Sequence, residues 1–73
     1  GLSRAFIYAG TPSVVSSLWM VEDESTSFLM ERFYAHLKKN DKAKSLRMAQ
    51  LESLKQYEHP YYWAPFVLIG DSE

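Results

Sequence analysis

Seventy-three residues with a formal net charge of −1, a 47 % hydrophobic share and a 15 % aromatic share describe one small ordered unit, not a disordered tail. The balanced charge gives no electrostatic footprint for nucleic acid, and the absence of cysteine excludes a disulfide framework and a thiolate metal site. No apolar run approaches the length of a membrane span and no cleavable signal pattern opens the chain, so a cytoplasmic protein with no membrane partner is expected.

Residues 2–9 are apolar and free of Gly and Pro, and Leu2, Ala5, Phe6 and Ala9 fall on one face at helical spacing, which predicts a helix. Gly10 suits the position just past a helix end, and Pro12 prevents continuation. Residues 13–19 are short, rich in β-branched side chains and bounded by Thr-Pro before and acids after. They read as a strand buried on at least one face, with Ser13, Ser16 and Ser17 small enough for another element to approach closely.

Glu22, Asp23, Glu24 and Ser25 open a second helix, with Asp23 as its expected N-cap and Glu24 complementing the dipole. Leu29, Met30, Phe33 and Leu37 form its apolar stripe, Tyr34 lies at the edge, and Phe28 falls on the opposite side. Lys38 and Lys39 suit the last turn. Asn40 and Asp41 make a tight link, Asn40 tolerating a left-handed backbone and Asp41 able to cap the next helix.

In the third helix Ala43, Leu46, Ala49, Leu54 and Tyr57 share the expected inward face, with Met48 and Leu51 off it. Pro60 requires that helix to end by Glu58 or His59. Residues 63–69 are the second strand, which Pro65 assigns to a sheet edge because it cannot donate a ladder hydrogen bond. Gly70 and Asp71 close it. The order is therefore helix, strand, helix, helix, strand, an α/β arrangement within a single partial domain spanning 1–73. Two helices joined by a tight link return the chain to the end of the sheet where it left. The second strand should then run antiparallel to the first, where a single crossover helix would make it parallel. So thin a layer leaves one edge of strand 13–18 for a neighbour that this chain does not supply.

Two segments carry a resemblance. One is Ala9-Gly10-Thr11-Pro12-Ser13-Val14-Val15-Ser16-Ser17-Leu18-Trp19. The other, more specific, runs His59-Pro60-Tyr61-Tyr62-Trp63-Ala64-Pro65-Phe66-Val67-Leu68-Ile69-Gly70-Asp71. Both are similar to the C-terminal part of the CHAT domain, a caspase-like cysteine-peptidase family of the clan that includes separases and caspases. The likeness extends from Gly1 to Asp71. Residues 1–6 match the helix after the family's catalytic-cysteine loop, residues 17–23 a strand end and helix start, and Phe33-Tyr34 and Ala49-Gln50-Leu51 its two helices.

The resemblance implies a caspase-like sandwich whose last strand is antiparallel at an edge. It also implies peptide-bond hydrolysis by a His–Cys dyad. Neither catalytic segment is in these residues, so the expectation is a catalytically incomplete C-terminal segment with no cofactor and no catalytic residue of its own. Its expected partners are the upstream half of such a domain or another copy of itself, with a peptide or protein substrate in the complete domain. By the same resemblance Ser17, Leu18, Trp19, Met20, Val21 and Asp23 form a wall of the substrate groove, where a peptide can add as a strand. Glu22 or Asp23 would then favour a basic side chain.

Each of these residues also has a plainer role. Asp23 can cap a helix and Trp19 can pack at a strand end. Tyr57, Tyr61, Tyr62, Trp63 and Phe66 read first as core beneath a sheet and second as a peptide platform. His59 reads as a helix-terminating histidine bonding a last-turn carbonyl, and His36 as a solvated residue. The two histidines have no metal-ligand spacing. Lys38, Lys39, Lys42, Lys44 and Arg47 read as a solvated turn. Arg4 reads as structural. The alternative function is an independent assembly module that pairs through its exposed sheet edge.

Overall fold

The structure, a computed structural model, describes residues 5–8 and 13–70. In chain order the elements are β1 (Ala5–Tyr8), β2 (Ser13–Ser17), α1 (Asp23–Leu37), α2 (Lys42–Gln56), a 3-10 turn (Pro60–Tyr62) and β3 (Phe66–Gly70). The sheet order is β1-β2-β3 and both pairings are antiparallel. The fold is α/β, with a strand, two helices and a last antiparallel strand at an edge, as the helix count requires.

The first element differs from expectation. Ala5–Tyr8 is a strand, not part of a helix over 2–9, and Phe6 pairs with Val15 and Ile7 with Val14. A helical spacing read over eight residues rests on about two turns, and an isolated helix that short is marginal. Phe-Ile-Tyr also carries high strand propensity, so a neighbouring strand outweighs the weak period. The edge of β2 expected to await an outside neighbour is filled by β1 of this chain. Among the described residues the open edges belong instead to β1 and β3. Gly10, Pro12 and Arg4, with the roles expected for them, lie outside the described residues.

One core joins sheet and helices. Val15, Val21, Leu29, Met30, Phe33, Leu46, Ala49 and Phe66 are buried in it, with Trp19, Leu37, Tyr62, Trp63 and Leu68 packed against it. Side chains alternate along β3. Phe66 and Leu68 face the helices, and Ile69 on the opposite face is 55 % exposed. Gly70 ends the strand with φ 101°, a conformation costly for a residue with a Cβ. Pro65 is itself buried just before β3, and its carbonyl accepts from the Leu18 N–H at 3.0 Å. Residues 63–65 are a turn, so the strand begins three residues later than expected.

The α1 stripe of Leu29, Met30 and Phe33 is buried as its period requires, and Leu37 is half-buried. Phe28, on the other side, meets Tyr57 edge-on at 6.0 Å between ring centroids. The N-cap is Glu22, one residue before the expected Asp23, and it makes no side-chain cap bond. Asp23 and Glu24 occupy the first turn, where negative charge favours the dipole. Asp41 caps α2, its Oδ1 accepting from the Lys44 N–H at 2.8 Å. Asn40 does not adopt a left-handed backbone. Its amide side chain donates instead to the His36 carbonyl at 3.0 Å, closing the end of α1.

The inward face of α2 is Lys42, Ser45, Leu46, Ala49 and Ser53, whereas Ala43 is exposed and Leu54 is 39 % exposed. Lys42 is thus buried at the start of α2 and is not part of a solvated turn, unlike Lys38, Lys39, Lys44 and Arg47. Small side chains at 45, 49 and 53 let α2 approach α1 closely. A face lined with serine is invisible to a hydrophobic period, which explains the rotation from the expected face.

Glu52 ties the helices together on the solvent side. Its Oε1 accepts from Arg32 Nε and from His36 Nε2, each at 2.9 Å. His36 is thus held, not simply solvated. The Arg32 hydrogen bond, and after it the His36 bond, lower the Glu52 pKa below its ordinary 4.5.

A carboxylate with a depressed folded pKa contributes stability above its unfolded pKa and loses it as pH falls through the folded one. Glu52→Gln should therefore lower the Tm by a few degrees at pH 7. The gap to the parent should close as the pH is taken below 4.5, read by circular-dichroism melts. Ser53 is 1 % exposed and its Oγ has no hydrogen-bond partner. Ser53→Ala should stabilise the protein by about 1 kcal/mol in urea unfolding, by removing an unpaired buried hydroxyl and raising helix propensity.

Candidate functional site

The segment after β2 leaves the sheet at Ser17 and reaches α1 at Asp23. Ser17 is 1 % exposed and pairs with Phe66 inside the sheet. Val21 turns into the core. Leu18 is 62 % exposed and Met20 48 %, while Trp19 lies half-buried between them. Asp23 is exposed in the first turn of α1. The six residues expected at a groove wall thus divide. Ser17 and Val21 anchor the segment from within, and Leu18, Trp19, Met20 and Asp23 lie along its surface.

Residues 59–62 lie against this segment. Tyr61 grips it three ways. The Trp19 indole N–H donates to the Tyr61 carbonyl at 3.1 Å, and the Tyr61 hydroxyl donates to the Met20 carbonyl at 2.7 Å. The two rings stack with centroids 6.1 Å apart and planes 25° from parallel. His59 starts the 3-10 turn, its Nδ1 accepting from the Tyr61 N–H at 3.1 Å. It therefore caps the turn ahead of it and does not bond a carbonyl of the helix behind.

Below, Gln50 on α2 donates from Nε2 to the carbonyls of Trp63 at 2.8 Å and Phe66 at 3.1 Å, fixing the turn into β3. The aromatic group is therefore mixed in role. Phe66 is core, Tyr62 and Trp63 pack against the core, and Tyr61 stands 44 % exposed.

Tyr61 and Tyr62 meet at 87° with centroids 5.4 Å apart, and Tyr62 leans on Tyr57 at 5.5 Å. Together with His59 they line a surface concavity of about 210 Å³. Burial, and after it the negative charges of Glu24 and Glu22, raise the Tyr57 pKa. The acidic start of α1 is therefore felt within the aromatic group.

Sequence reasoning does not single out the clamp made by Tyr61 or the strut made by Gln50. The signal that points to Tyr61 is its place directly after Pro60, where a rigid turn holds an aromatic side chain outward. Nothing local marks Gln50. Among the described residues no group of three or more His, Asp and Glu is placed to hold a metal ion, and no helix is long and apolar enough to cross a membrane.

Comparison with known proteins gives the family. The family model of the CHAT domain matches residues 1–71. Tetratricopeptide repeat protein 28 of Homo sapiens is 38 % identical over 72 residues, covering 94 % of this chain and 3 % of that protein. The Mus musculus protein of the same name is 36 % identical over 72 residues with the same coverage. The chain spans about 3 % of the length of these curated relatives. No solved structure matches it. The chain belongs to the CHAT domain family, which is caspase-like.

Tyr61→Phe removes one hydrogen bond and keeps the stacking ring. It should cost only about 0.5 kcal/mol, the low end for an exposed bond, and should speed amide hydrogen exchange in residues 18–22 without changing it in α2.

Proposed function

We propose that this chain is the C-terminal, catalytically incomplete part of a caspase-like cysteine-peptidase domain, in which it supplies one wall of the substrate groove and an edge strand. The observation that carries the reading is the segment 18–20 at the end of β2. It presents Leu18 and Met20 outward beside a half-buried Trp19, and it bends away from the sheet while Tyr61 holds it in place. A peptide main chain docked here would take its donors from the Trp19 and Met20 N–H groups, for which no backbone acceptor is found among the described residues. The exposed carboxylates of Glu22 and Asp23 beside this segment favour a basic residue in the peptide.

These residues contain no cysteine, so the thiolate comes from outside them, and in this reading its histidine base does too, since neither His36 nor His59 falls in the family's catalytic segments. In the complete domain the thiolate attacks the scissile carbonyl, the amine leaves with a proton from the histidine, and water hydrolyses the thioester. The part assigned to this chain is to hold the peptide in register for that attack.

Co-expression with a CHAT segment that bears the family's His and Cys tests the reading. A co-purified complex should cleave a peptide library after or near basic residues. Met20→Pro, which removes one main-chain donor, should lower kcat/KM about tenfold or more. A stable complex with no turnover, or turnover indifferent to Met20→Pro and Trp19→Ala, overturns it.

A further inference from the structure

We propose that the concavity formed by His59, Tyr61 and Tyr62 is a binding subsite for a cationic side chain, arginine or lysine, of an extended peptide. The site deepens the groove reading above and rests on it for its place in substrate recognition. The binding itself rests on the aromatic geometry.

Tyr61 and Tyr62 stand at 87° to one another, so the shallow concavity they line lies in the angle between two rings. A ring face attracts a cation placed within about 6 Å of its centroid. The volume of about 210 Å³ suits one long side chain rather than a whole ligand of drug size. The corner is rigid. Trp19 stacks on Tyr61, the Tyr61 hydroxyl is tied to Met20, and Tyr62 is backed by Tyr57. A preformed corner adds little ordering cost on binding.

Charge points independently the same way. Glu22 and Glu24 act on Tyr57, whose ring rests on Tyr62, so the acidic start of α1 lies on the Tyr57 side of the corner. Glu22 lies two residues beyond Met20, whose carbonyl Tyr61 holds. The exposed cations Lys38, Lys39, Lys44 and Arg47 surround the α1–α2 link, at the far end of a 15-residue helix about 22 Å long. The aromatic end is thus the more acidic one, with Lys55 its exposed cation in the last turn of α2, and the link is basic apart from Asp41, so a cation is drawn to the former. An uncharged apolar side chain would use the rings but gain nothing from the carboxylates, which decides between the two occupants.

The test titrates the 73-residue chain with N-acetyl-arginine amide, N-acetyl-lysine amide and N-acetyl-norleucine amide, the last being lysine without its ammonium. Backbone amide shifts and the Trp19 indole N–H signal are tracked by NMR. The two cationic amides should shift residues 59–62 and the Trp19 indole, and should bind at least threefold more tightly than the norleucine amide. Tyr62→Leu should abolish the shifts. Glu22→Gln with Glu24→Gln, both at exposed positions, should leave the fold intact and bring the charge preference towards one. Equal binding of the norleucine amide, shifts confined to residues 22–24, or no saturable shift at all would each overturn the proposal. Cation binding without cleavage in the reconstituted complex would instead count against the peptidase reading alone.

Discussion

Everything in this small protein depends on the way two helices return the chain to the sheet. α1 and α2 are antiparallel and joined by a tight link, so residue 57 emerges near the end of the sheet that residue 18 left. β3 has then to run antiparallel beside β2, and residues 59–65 have to lie against residues 18–22. The clamp of Tyr61 on Trp19 and Met20 is the local outcome. Were the helices one instead of two, the strand would return parallel and this aromatic turn would sit at the opposite end of the sheet.

The return is stabilised on both sides of the helix pair. Inward, Leu29, Phe33, Leu46 and Ala49 close over Val15 and Phe66 in one core, with small residues on α2 allowing the approach. Outward, Glu52 draws in Arg32 and His36 across the groove between the helices. The first is apolar burial and dominates the stability. The second is a partly exposed ionic and hydrogen-bonded cluster, which adds less to the stability.

Much of the fold can be read from residues alone. Asp41 is recognisable as a cap because a short acceptor before an amphipathic run has one obvious donor three residues on. Pro60 announces the end of α2, and the spacing of Leu29 and Phe33 marks the buried stripe of α1. Other features are not legible. Ala5–Tyr8 has too few residues to separate a helical period from a strand, and its state is settled by pairing with β2. The inner face of α2 is hidden because Ser45 and Ser53 are buried for their size and not for their hydrophobicity. At the candidate site, Trp19 and its neighbours are visible as a strand end, whereas the choice of which side chains face out needs the sheet register.

By itself the sequence determined the class of fold, the number of helices between the strands, the sense of the last strand and membership of the CHAT family. These depend on local signals, namely caps, prolines, periodicity and a specific aromatic run, that are written in consecutive residues. Only the tertiary structure decided that Tyr61 holds Trp19, that Tyr61 and Tyr62 make a corner, and that Gln50 braces the turn beneath them. The Gln50 and Trp19 bonds join residues 13 to 42 positions apart, and nothing in a linear pattern specifies which distant carbonyl a side chain will find.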